Sequence, residues 1–148
     1  MKIIVDECLG AKYWPHISRL YGGNHTFYTC DHKSSHRKEL TYPSGMSDLE
    51  LFNFGRLYHI DILVTSDLRQ FRTEEERAAC RQTGMHWVAI PPNARAHSAL
   101  MLREQALTFA MALPHLERLL EPATAPMAIR LKPGHHRARI ENNFPTQL

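Results

Sequence analysis

Ile60-Asp61-Ile62-Leu63-Val64-Thr65-Ser66-Asp67 holds the best strand in the chain. Ile60 to Thr65 is a short apolar run rich in β-formers, and it leads straight into Ser66-Asp67, so it reads as a buried strand ending at an acid. Lys2 to Val5, with Ile3, Ile4 and Val5 in a row, reads the same way and ends at Asp6. His25 to Cys30, rich in Thr, Phe and Tyr, precedes Asp31, and His86 to Ile90 is closed by Pro91-Pro92. Between these strands the spacing predicts helices over Ala11–Tyr21, Asp48–Tyr58, Glu74–Thr83 and Ala96–Leu120. Ser47 or Asp48 supplies an N-cap, Gly84 a stop, and Pro114 a place for a kink or restart.

Strands that alternate with helices imply a three-layer α/β/α domain with a mainly parallel central sheet. Such sheets bind ligands outside the carboxyl ends of their strands, and three of the expected strands end at an acid: Asp6, Asp31 and Asp67. Asp31 to Gly45 is polar and reads as a long loop, a length that is usually functional or mobile. Beyond Pro122 the helical pattern stops. Met127 to Leu131 fits an edge strand, and residues 132–148 read as a mobile basic tail.

The 148 residues suffice for one domain with one core. No stretch reaches the roughly 20 apolar residues of a membrane span. Asp6 interrupts the first apolar run too early for a signal peptide, so a cytoplasmic protein is expected. Three cysteines without framework spacing fit a reducing compartment rather than a disulfide scaffold. The net charge of +3 permits nucleic-acid binding without requiring it.

Asp6, Asp48 and Asp67 converge only if the loop before Asp48 folds back over the strand ends. Carboxylates brought together repel unless a cation joins them, and their hard oxygens suit Mg²⁺ or Mn²⁺. An acid after a strand is also an ordinary turn or cap residue, and the residues alone leave both readings open.

The opening Ile3-Ile4-Val5-Asp6-Glu7-Cys8-Leu9 resembles that of short bacterial PIN-like proteins, which start with apolar residues and then Asp-Glu-Asn-Leu. Ser47-Asp48-Leu49-Glu50-Leu51, followed by Asp61 to Phe71, resembles that family's second block, a Ser-Asp helix start and then a strand leading to Thr-x-Asp-x-Asp-Phe. The likeness spans residues 2 to about 90. It implies a PIN-like domain over residues 1–131 and a metal-dependent ribonuclease, often the toxin of a toxin–antitoxin pair. Asp6, Asp48 and Asp67 would be catalytic and hold the metal, with Asp31 as a less constant further ligand, and a water activated by Mg²⁺ or Mn²⁺ would cut RNA. Two departures stand out. Gln70 replaces the last block's usual Asp, and Cys8 replaces Asn, which takes a polar group from the rim.

Arg69 at the rim and Lys33, Arg37 and Lys38 in the long loop are candidate contacts to RNA phosphates, with ordinary solvated side chains as the alternative. Cys30-x-His32-x₃-His36, with Cys8 or His16 as a fourth ligand, has soft-metal spacing but lacks a second Cys pair. Two rival functions remain. One is a non-catalytic nucleic-acid- or protein-binding module with a degenerate acidic site. The other is a structural subunit whose long helix, Ala96–Leu120, docks on another protein; the same helix offers a surface for a homodimer. No GxSxG, Walker A or GxGxxG motif is present, which removes support for hydrolase-triad, NTPase and dinucleotide chemistry.

Overall fold

The computed structural model describes residues 1–31, 40–70, 73–93, 98–133 and 138–140; for 31, 98 and 138–140 it describes the backbone alone. Seven strands are found among them: β1 (Lys2–Val5), β2 (Thr26–Asp31), β3 (Thr41–Pro43), β4 (Ile62–Thr65), β5 (His86–Ala89), β6 (Ala128–Leu131) and β7 (Ala138–Ile140). The helices are α1 (Trp14–Leu20), α2 (Asp48–Leu57), α3 (Glu74–Thr83) and α4 (Ser98–Leu120), with a 3₁₀ turn at Glu7–Leu9.

The strands form one sheet in the order β3-β2-β1-β4-β5-β6-β7. Every pairing is parallel except that of β6 with β7. Alternation along each strand sorts its side chains to two faces. Ile3, Val5, Ile62, Val64 and Val88 pack with Trp14, Ile17, Phe109 and Leu113 under α1 and α4. Ile4, Leu63, Trp87 and Ala89 pack on the other face with Leu51, Phe52 and Cys80 under α2 and α3. The molecule is the three-layer α/β/α arrangement expected from the alternating pattern.

Two elements lie where a loop and a tail were expected. β3 adds to β2 through Thr29↔Thr41 and Cys30↔Tyr42, and β7 adds to β6 through Arg130↔Arg139. The expected edge strand β6 is therefore flanked on both sides. Helix α4 runs unbroken through Pro114. A proline there has no N–H for the Ala110 carbonyl, and the Tyr21 hydroxyl donates to that carbonyl instead.

From β1 the chain first builds outward through β2 and β3, then returns to the other side of β1 with β4. The order reverses between β1 and β4, where doubly wound sheets open a crevice at the strand carboxyl ends. In register, Val5 lies opposite Val64, and the Asp6 N–H donates to the Val64 carbonyl at 2.8 Å. Asp6 and the turn after Thr65 thus flank this switch point.

Candidate functional site

Asp6, half-buried, leaves β1 just where its ladder with β4 ends. Its Oδ2 accepts from the Thr65 hydroxyl at 2.6 Å, from the Cys8 thiol at 3.3 Å and from Gln70 Nε2 at 3.0 Å. Three donors on one oxygen fix the carboxylate in a single orientation.

Asp48 arrives from a helical layer as the first residue of α2. Ser47 is the N-cap. Its hydroxyl accepts from the Glu50 N–H, and Glu50 Oε2 accepts from the Ser47 N–H at 2.7 Å, a reciprocal capping box. Asp48 is thereby released from capping, and its Oδ1 accepts from Gln70 Nε2 at 3.0 Å. Gly55 lets α2 lie close against Met85, because a Cβ there would run into the Met85 sulfur.

Gln70, almost fully buried, joins the two acids. Both carboxylates accept from the same amide nitrogen. Its Oε1 accepts from the Trp87 indole N–H at 3.1 Å. An indole N–H only donates, so the amide oxygen must face Trp87 and the NH₂ must face the acids.

Asp67 lies next on the rim. Its N–H donates to the Thr65 hydroxyl at 2.9 Å, so Thr65 links the turns that carry Asp6 and Asp67. The Asp67 carboxylate is engaged by Arg69, whose N–H and Nε donate to Oδ1 at 2.8 and 3.0 Å. That pair raises the Arg69 guanidinium further above its usual value.

Burial pushes the Asp48 carboxyl above its usual value; the Gln70 hydrogen bond pulls it back, and the charges of Asp6, Glu76 and Asp67 add to the rise. Burial, then the Asp6 charge, also pushes the Cys8 thiol up, which keeps it protonated and a donor at neutral pH. The Ser66 N–H donates to Cys8 Sγ at 3.4 Å. Cys8 therefore supplies a polar contact to Asp6, where its sequence position suggested that one had been lost.

Two further residues shape the rim. The Tyr42 hydroxyl, buried on β3, donates to the Val5 carbonyl at 2.5 Å and ties β3 to the end of β1. Burial, with Asp6 nearby, drives its pKa far above the usual tyrosine value. Glu7 Oε2 accepts from the Gly45 N–H at 2.9 Å, in a turn where Gly45 takes φ +75°, a conformation that favours glycine. Glu7 lies in the Asp6-Glu7 opening, while Tyr42 lies in no motif. Leu40-Thr41-Tyr42 is the only β-prone triplet in its stretch and was the available signal.

Of the expected site residues, Asp6 and Asp48 come together through Gln70, and Asp67 with Arg69 stands beside them. Asp31 ends β2, and its side chain lies outside the described residues. Lys33, Arg37 and Lys38 lie outside them too, as do His32, His36 and Phe71. Cys30 and Cys80 are buried thiols. Among the described residues, no three His, Cys, Asp or Glu side chains are grouped to hold a metal. Mg²⁺ needs fewer, since one or two carboxylates with waters and substrate phosphates commonly hold it. Asp6 and Asp48, which converge on one hydrogen-bond donor and repel each other, fit that demand.

Comparison with known proteins gives no matching family model and no match among curated proteins. Among the described residues no helix is long and apolar enough to cross a membrane.

Proposed function

We propose that this protein is a divalent-cation-dependent ribonuclease of the PIN-like kind, acting on single-stranded RNA in the cytoplasm. Asp6 and Asp48 would hold Mg²⁺ or Mn²⁺ at the strand-end crevice, with Asp67 on the same rim. The observation that carries the reading is that Asp6, from the sheet, and Asp48, from the α2 layer packed on it, each accept at 3.0 Å from one amide nitrogen at the switch point of a parallel sheet. An ion bound there would activate a water and offset charge on a phosphodiester.

The chain's own residues do the rest. Thr65 and Cys8 aim Asp6, the Ser47 cap leaves Asp48 available to the crevice, and exposed Arg69 stands where a phosphate would approach. Lys33, Arg37 and Lys38 would add phosphate contacts of no sequence preference. A toxin role with an antitoxin partner rests on the PIN-like resemblance. A homodimer would use the outer face of α4, where Leu100, Leu107 and Met111 are exposed.

The test is cleavage of a labelled single-stranded RNA by EDTA-stripped protein, with Mg²⁺ or Mn²⁺ added back. Cleavage should depend on the ion and fall at least about tenfold in Asp6→Asn. A second reading, a binding module without catalysis, draws on the Gln70 amide, which already offsets both carboxylates. RNA bound in EDTA, with no cleavage under either ion, favours that reading.

A further inference from the structure

Gln70 stands where the resembled family has an acid, and its amide does something an acid cannot. An aspartate or glutamate there would add a third negative charge to Asp6 and Asp48. The amide instead brings the positive end of its dipole to both carboxylates at once, using both of its N–H bonds. Trp87, fully buried on β5, decides which end faces inward. Turning the amide over would set its NH₂ against the indole N–H and its oxygen against two carboxylates.

We propose that Gln70 is a latch on the cation site: its amide, oriented by Trp87, sits between Asp6 and Asp48, and a divalent ion engages the pair only as that amide withdraws. This rests on the reading of Asp6 and Asp48 as a cation site. The latch makes the ion-free crevice electrostatically self-sufficient, and it weakens cation affinity because the ion must first break two hydrogen bonds to carboxylates. Trp87 is a positioning residue that acts on the site through Gln70. With the indole N–H gone, the amide is free to turn and offer Oε1, a hard oxygen ligand, to the ion.

The experiment is a Mg²⁺ titration of EDTA-stripped protein, followed by calorimetry and by the Gln70 side-chain NH₂ signals in NMR. Wild type is compared with Trp87→Phe, which keeps an aromatic ring without the donor, and with Gln70→Glu, which puts a carboxylate in the amide's place. Without Mg²⁺ the wild-type NH₂ protons should exchange slowly with solvent, and saturation with Mg²⁺ should speed that exchange. Trp87→Phe should bind Mg²⁺ several-fold more tightly, and Gln70→Glu about tenfold or more, from the added charge and oxygen. If wild type binds Mg²⁺ with Gln70 signals unmoved and Trp87→Phe binds no more tightly, the latch is overturned while the cation site stands. If none of the three proteins binds Mg²⁺, the cation site itself is wrong, and the latch falls with it. Near-ultraviolet circular dichroism of each variant separates lost packing from lost binding.

Discussion

The Thr65 hydroxyl donates to Asp6 Oδ2 across 2.6 Å. Thr65 Oγ1 in turn accepts the Asp67 N–H at 2.9 Å, so one buried side chain at the end of β4 sets both the Asp6 carboxylate and the turn that carries Asp67. Thr65→Val keeps the β-branched shape and removes the oxygen. It should cost about 1–3 kcal/mol, because the Asp67 N–H loses its acceptor and Asp6 a donor. Chemical denaturation checks the stability, and Mn²⁺ affinity should fall with it as Asp6 loses its orientation. Unchanged stability and affinity would remove Thr65 from the site.

Asp48→Asn separates charge from shape. The Asn oxygen still accepts from Gln70, while the charge that burial and neighbouring acids disfavour is gone. Since the folded Asp48 value lies above the unfolded one of 3.8, the folded chain binds the proton first, and wild-type stability gains as pH falls through the window above 3.8. Ion-free Asp48→Asn should therefore melt at or above wild type at pH 7, and that gain should fade towards pH 4. A melting temperature well below wild type at pH 7 would make Asp48 a structural acid.

Two histidines set the opposite slope. Burial lowers both His25 and His86 from their usual value of 6.5, with the N-terminal charge adding to the effect at His25; Glu117 and Asp61 pull them back only in part. His86 Nδ1 accepts the Met127 N–H at 3.1 Å, which requires a neutral ring. The unfolded chain takes up these protons first, so stability is present above pH 6.5 and is lost as pH falls below it. Thermal melting should show a declining midpoint from pH 7 to about pH 5. His86→Gln, which keeps an acceptor without the titration, should flatten part of that decline. An unchanged slope would remove His86 from the pH response.

What was legible in the sequence follows from which interactions are local. β1 and β4 declared themselves because a strand buried on both faces reads as an unbroken β-branched and apolar run, and Asp6 follows directly from the end of β1. β3 did not. Thr41-Tyr42-Pro43 is three residues ending in proline, and it is a strand because β2 offers it a pairing edge. The choice between Ser47 and Asp48 as cap was already written in Ser47-x-x-Glu50, a capping-box spacing that assigns the cap to Ser47. In the sequence Gln70 stands out only as a missing acid. Its link to Asp6, Asp48 and Trp87 depends on three elements distant in sequence, and no local pattern announces it.

Asp6 and Asp48 would together hold a divalent cation. The most direct measurement is Mn²⁺ binding to EDTA-stripped protein, read by calorimetry on wild type, Asp6→Asn and Asp48→Asn at pH 7. Wild type should bind saturably, and each variant at least about tenfold more weakly, a loss of about 1.4 kcal/mol. Binding that neither substitution changes, or no binding to wild type at millimolar Mn²⁺, would contradict it.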